Sequence, residues 1–235
     1  FKILSVIGTN SFKKLLCLRL PYPSFEINKL IKLSWLALPL GIVMLINNLK
    51  VNIPRYAINS YLGTRELGFF AAMAYVLVAV NIVINALGQS ASPRLAKYIS
   101  HNNRNKFLLL LIKLTFIGTG IALLGLAVVY FWGKELLIIL YNPEFADKAD
   151  IFIWIMAANA IRFAGGFLGY GITAARYFRI QLPINIISLI NITILCYILI
   201  PKYGLLGAAW ALSVTYLMDI LINTSVLCYI VNNID

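Results

Sequence analysis

Charge is scarce in this sequence, and negative charge is scarcer still. Only 12% of the 235 residues are charged, 20 basic against 8 acidic, where a soluble domain averages about 25%. Hydrophobic residues make up 61% and the mean hydropathy is +0.87. These values exclude an ordinary soluble domain and predict a polytopic membrane protein. Histidine is nearly absent. His101 lies in a basic connection without a catalytic partner, which removes histidine-based acid–base chemistry. Cysteine is also sparse: Cys17, Cys196 and Cys228 are isolated, with no CxxC spacing and no even-numbered set, so neither a disulfide framework nor a zinc site is indicated. They read as small packing residues. No phosphate-binding loop, metal cluster or nucleophile–base arrangement appears, so no enzyme activity, catalytic residue, metal or cofactor is expected.

What is present is apolar length. A hydrocarbon core about 30 Å thick needs roughly 20 residues of helix, and six segments qualify: about 32–60, 67–91, 107–132, 150–173, 183–201 and 204–231. The expected fold is all-α, six transmembrane helices in one lobe spanning 32–235, preceded by a basic linker over 1–31. The first segment is long, roughly 43 Å at about 1.5 Å per residue, so it must tilt, kink at Pro54 or project from the bilayer. The leader starts at Phe1 and lacks a signal-peptide cleavage pattern, which reads as an internal linker of a longer protein.

The net charge of +12 would suit nucleic acid or an anionic membrane, but the basic residues flank apolar spans, so bilayer orientation explains them and no nucleic-acid partner is expected. Lys2, Lys13, Lys14, Arg19, Lys29, Lys32, Arg94, Lys97, Arg104, Lys106, Arg176 and Arg179 fall on one side. Lys50, Arg55, Arg65, Lys134, Lys148 and Lys202 fall on the other, beside Glu135, Glu144, Asp147 and Asp150. The positive-inside rule then puts the leader and Asp235 in the cytoplasm. Ser92 and Pro93 read as the N-cap and first turn of a short surface helix. The apolar stretch from Glu135 to Tyr141 is short enough to lie along the outer interface, and Asp147 and Asp150 suit the start of the fourth helix.

Polar residues inside the spans are not scattered. Asn48, Asn52, Arg55 and Asn59 share one face of the first span at i, i+4, i+7 and i+11. Asn81, Asn85 and Gln89 share a face of the second. Asn159, Arg162 and Tyr170 lie close to one face of the fourth, Asn185, Ser188 and Asn191 along the fifth, and Tyr216, Asp219 and Asn223 along the sixth. Such groups bond between helices or line a water-filled cavity, and repetition in five spans favours the cavity.

Arg162 sits near mid-span, where insertion costs at least about 2.5 kcal/mol. Two readings stand: a structural ion pair with Asp219, or a forked donor to an anionic group such as a phosphate or pyrophosphate. Asp219 is also the candidate coupling group for a H+ or Na+ gradient. Lys113 can snorkel to the inner surface. Lys50 points away from the stripe that holds Arg55, so Arg55 is the second ligand candidate. Gly165 and Gly169 form a GxxxG that reads as a close helix contact. The sequons at Asn191 and Asn223 lie within spans, out of reach of glycosylation.

Specific residues carry a resemblance. Ile53, Pro54, Arg55 and Tyr56, then Leu62, Gly63 and Gly68, then Pro93, Arg94, Leu95 and Ala96, resemble the start of a six-helix lobe in Wzx-type polysaccharide flippases. The phrase IPKYGLLGAAWA, Ile200 to Ala211, is similar to the loop and helix start joining the last two helices of such a lobe. The superfamily, called MOP, also holds the multidrug and toxic compound extrusion (MATE) proteins and the lipid II flippases.

The resemblance covers residues 31–231 and implies two six-helix lobes around a central cavity, working by alternating access in a bacterial or archaeal cytoplasmic membrane. The cargo it implies is an undecaprenyl-pyrophosphate-linked oligosaccharide, moved to the outer leaflet for O-antigen, lipopolysaccharide or related polysaccharide biosynthesis. Arg162 and Arg55 would then meet the pyrophosphate or acidic sugars, and Asn48, Asn52, Asn59, Asn85 and Asn159 the sugar hydroxyls. Only one lobe is present, resembling a C-terminal half. Its implied partners are membrane lipids and either an N-terminal lobe of the same chain or a second half-transporter. A MATE-like drug or toxin exporter is the rival within the fold. A membrane glycan polymerase or ligase is the rival outside it, but would need catalytic residues in a large outer loop, and 133–149 shows no such cluster.

Overall fold

The computed structural model describes residues 27–175 and 177–232. The leader 1–26 with Cys17, and also Arg176 and Asp235, lie outside the described residues. The chain divides into two compact units, Phe1–Leu38 and Pro39–Asp235. Among the described residues of the first unit, the chain is helical from Ile27; the cores and the cavity described below belong to the second.

No strand occurs among the described residues. Five α-helices follow one another: α1 (Ile27–Leu62), α2 (Thr64–Ser100), α3 (Arg104–Leu140), α4 (Ala149–Ala174) and α5 (Phe178–Asn232). A 3-10 turn, Pro143–Lys148, joins α3 to α4. Four stretches, Thr64–Ser100, Arg104–Leu140, Pro143–Ala174 and Ile180–Asn232, are long and apolar enough to cross a membrane. The chain is an all-α polytopic membrane protein.

The helices depart from the expected spans at identifiable residues. α5 is interrupted at Gly204 (φ 60°, ψ −136°), a conformation open to glycine, so the expected fifth and sixth spans form its two arms. The arms run antiparallel: Asn191 Nδ2 donates to Thr215 Oγ1 at 3.3 Å across them. At Gly207 an added Cβ would lie 2.2 Å from the Leu199 carbonyl oxygen, which shows how closely the turn brings the two backbones together. α3 breaks its helical geometry at Trp132 (φ −122°, ψ 16°), which separates the expected interfacial stretch from the span before it. Tyr130, Phe131 and Trp132 are exposed at this break, as aromatic residues are at a membrane–water interface.

One expectation is corrected. Ser92 and Pro93 do not start a surface helix, because α2 runs unbroken from Thr64 to Ser100 with Pro93 inside it. Proline removes one N–H from the ladder, and a neighbouring water-accessible wall can satisfy the freed carbonyl.

Two apolar cores hold the bundle. One gathers Ala57 and Ile58 of α1, Phe69 to Leu77 of α2, Val129 and Leu137 of α3, Phe152 to Ala158 of α4, and Ile192 to Leu212 of α5. The other gathers Ile84 to Leu95, Phe107 to Ala122, Phe163 to Ala174, and Leu227 to Val231. Between them lies a polar level. Asn81 falls between Leu77 and Ile84 on α2, Arg162 between Ala158 and Phe163 on α4, and Tyr216 and Asp219 between Leu212 and Leu227 on α5. Outward, Phe116, Leu124 and Leu221 are exposed, as side chains facing lipid should be.

Candidate functional site

A cavity of about 930 Å³ opens beside this polar level. Its walls come from α1 (Val43, Asn47, Lys50), α2 (Gln89, Ser92, Pro93), α4 (Arg162, Gly166, Tyr170) and both arms of α5 (Gln181 and Asn185; Tyr216, Asp219 and Asn223). Pro93 therefore interrupts the α2 ladder at the cavity wall, where water can reach the carbonyl that proline leaves free.

Glycine makes room in two places. At Gly88 a Cβ would stand 2.3 Å from Cε2 of Tyr170, so the missing side chain admits the tyrosine ring, whose hydroxyl donates to Asn85 Oδ1 at 3.3 Å. At Gly165 a Cβ would stand 2.3 Å from Cγ1 of Ile220, so α4 and α5 meet closely there. Gly169, by contrast, has open space in front of it and lines the cavity. Its carbonyl accepts from Thr173 Oγ1 at 2.9 Å and from Gln181 Nε2 at 3.5 Å. Both glycines of the GxxxG line the cavity, and Gly165 is a close helix contact as well.

Three charges line the cavity: Lys50, Arg162 and Asp219. Lys50 Nζ donates to Asp219 Oδ2 at 2.9 Å, with the two side chains 12% and 19% exposed. Arg162 donates Nη2 to Asn81 Oδ1, and its guanidinium lies 5.2 Å from the Phe163 ring centre and 5.9 Å from that of Tyr216. Two buried polar atoms face this arrangement with no hydrogen-bond partner, Arg162 Nε and Asp219 Oδ1. A buried charge-bearing group whose donor or acceptor has no protein partner is costly to keep in a bundle.

Of the residues expected to form the site, Arg162 and Asp219 line the cavity, but they are not each other's partners. Asp219 pairs with Lys50, and Arg162 with Asn81. Asn85 stands behind the wall through Tyr170. Asn159 is buried and donates to the Ile155 carbonyl at 2.9 Å. The α1 stripe lies outside the cavity lining. Asn48 and Asn52 donate to carbonyls of their own helix, Met44 and Asn48, and Arg55 reaches Asn52 Oδ1 only at 3.5 Å; Asn59 is exposed.

The face of α1 that does line the cavity carries Val43, Asn47, Lys50 and Val51. Lys50 is therefore the residue that sequence reasoning passed over. A signal existed: Asn47 and Lys50 form a second polar pair on the helix, and Asp219 in an apolar arm needed a counter-charge.

Comparison with known proteins adds to the geometry. The chain is 32% identical over 180 residues to the capsular polysaccharide biosynthesis protein CapF of Staphylococcus aureus, covering 77% of this chain and 46% of that protein. It is 27% identical over 184 residues to a protein of Shigella flexneri named "Putative O-antigen transporter", covering 76% of this chain and 42% of that protein. The chain thus spans less than half the length of the curated relatives it matches. No protein-family model and no solved structure matches the chain.

Proposed function

We propose that this chain forms one six-helix lobe of a MOP-superfamily flippase that exports surface polysaccharide across the cytoplasmic membrane as a lipid-linked oligosaccharide. The observation that carries the reading is the cavity itself: two cations and one carboxylate, framed by amides and two tyrosines, at the mid-level of apolar helices. Charges at that depth are costly and mark a transport pathway. Similarity to proteins named for capsular polysaccharide biosynthesis and O-antigen transport supports polysaccharide as the cargo.

In this reading Arg162 holds the pyrophosphate or an acidic sugar. Its planar fork is always charged, and its Nε is still unpartnered. Gln89, Gln181, Asn185 and Asn223 supply amides for sugar hydroxyls and water. Arg55, Asn48, Asn52 and Asn59 lie on a separate, partly exposed face of α1 and would meet cargo only across a second lobe.

The lining residues Ala96, Ala174 and Gln181 lie beside the α2–α3 and α4–α5 connections, where the basic residues Arg94, Lys97, Arg104 and Lys106 also stand. With that end in the cytoplasm, the cavity loads from the inner leaflet. Rocking against a second lobe then exposes it outward, with Asp219 as the candidate site of H+ or Na+ coupling.

The test is export. In cells that depend on this protein, Arg162→Ala should abolish surface polysaccharide while the protein remains in the membrane at its normal level. Unchanged polysaccharide would remove Arg162 from the transport pathway.

A further inference from the structure

We infer that Asp219 is an internal counterion that holds Lys50 in reserve, and that a phosphate or pyrophosphate group replaces it, binding to Lys50 and Arg162 together. The inference rests on the cavity being an anion-carrying export site, and it gives Lys50 a role that sequence reasoning had not assigned.

The geometry of the pair is incomplete in a particular way. A buried ion pair that serves only stability needs its remaining lone pairs satisfied, because desolvation otherwise exceeds the attraction. Here one carboxylate oxygen, Oδ2, meets Lys50 Nζ at 2.9 Å, while the other, Oδ1, is buried without a partner. Arg162 shows the same pattern: Nη2 is used by Asn81, and Nε is buried and unpartnered. All three charged groups line one cavity, whose charged lining carries one net positive charge with Asp219 in place. Released from Asp219, Lys50 joins Arg162 as a second cation for an arriving anion. The freed carboxylate has Tyr216 and Asn223 as its helical neighbours at i−3 and i+4, both on the same cavity wall.

Release matters as much as capture. Two uncompensated cations in a low-dielectric site would hold a pyrophosphate too firmly to let it go. A carboxylate on the adjacent helical arm competes for Lys50 and restores the empty state. Lys50 on α1 and Asp219 on α5 belong to different helices, so the exchange also changes what ties those helices together.

The experiment measures binding of inorganic pyrophosphate, undecaprenyl pyrophosphate and phosphate-free undecaprenol to the purified protein in nanodiscs of neutral lipid. Asp219→Asn should bind pyrophosphate at least about fivefold more tightly, since the competing carboxylate is gone. Lys50→Gln should bind it about tenfold more weakly, the size of one charge-assisted hydrogen bond. The Lys50→Gln/Asp219→Asn double variant should bind no more weakly than Lys50→Gln alone, since an unpaired carboxylate is gone, but still below wild type because Lys50 is missing. Undecaprenol binding should be the same in all of them.

A gain confined to undecaprenyl pyrophosphate would identify the lipid-linked headgroup as the ligand, and an equal gain with inorganic pyrophosphate would show that the headgroup alone suffices. Either outcome supports the exchange. It is overturned if Asp219→Asn gains no affinity for either pyrophosphate, or if the double variant regains wild-type binding, the behaviour of a structural pair. The two readings fail separately. Altered affinities with undisturbed polysaccharide export in Arg162→Ala would sink only the role of Arg162 in export; lost export with unaltered Asp219→Asn affinity would sink only the exchange.

Discussion

At the residue scale, the buried charges are held by partners from other helices. Arg162 is tolerable at mid-span because Asn81 accepts from its guanidinium and two aromatic rings lie against it. Asn81→Ala should therefore lower stability by about 1.5–3 kcal/mol, the worth of a hydrogen bond to a charged group. Thermal unfolding in detergent checks this, and Asn81→Asp, which keeps the acceptor, should recover most of it. Arg162 and Asp219 were legible as site residues because charge inside an apolar run stands out in any window. Their partners were not legible. Lys50 is hard to find because the longer polar stripe lies on the opposite face of its helix, and a helical ruler ranks faces without saying which one meets another helix.

At the scale of elements, the decisive features are the breaks. Hydropathy finds apolar stretches readily, because the count of apolar residues is a local sum; six spans were expected, and four stretches among the described residues are long and apolar enough to cross a membrane. It did not foresee that α2 would run on through Pro93, since a proline tolerated at a wet wall looks the same in sequence as one that opens a helix. The break in α5 at Gly204 falls inside the stretch Ile200 to Ala211, where Gly204 and Gly207 stand three residues apart. Gly204→Ala should cost about 1–3 kcal/mol because of its positive φ. Gly207→Ala should do more harm, since its Cβ would meet a backbone carbonyl that cannot rotate aside. The monodisperse folded fraction on size-exclusion chromatography should fall for both variants, and further for Gly207→Ala.

At the scale of the molecule, two apolar cores with a polar level between them account for how a membrane bundle holds water-seeking groups. The end of the bundle away from the cavity is tied by ion pairs, Arg65 with Glu144 and Lys148 Nζ with Glu66 Oε1 at 3.3 Å. Arg65 and Glu144 are exposed, so that pair should contribute little to stability. Orientation is open to direct measurement. With Cys17, Cys196 and Cys228 replaced by serine, Lys97→Cys should react with a membrane-impermeant maleimide only from the cytoplasmic side, and Glu144→Cys only from outside. Both positions are exposed at opposite ends of the bundle, so the reverse pattern would invert the topology and point the cavity outward.

The sequence by itself determined that this is an all-α membrane protein and that polar groups recur along its apolar segments. Those properties follow from composition and from periodicity within single segments. Only the tertiary structure decided that four helices, α1, α2, α4 and α5, share one cavity, that Asp219 faces Lys50 while Arg162 faces Asn81, and that the long α1 stripe lies elsewhere. The reason is physical: the rotation of each helix about its axis is set by side chains packing between helices, here through glycines at Gly88 and Gly165 that admit Tyr170 and Ile220, and no single segment carries that information.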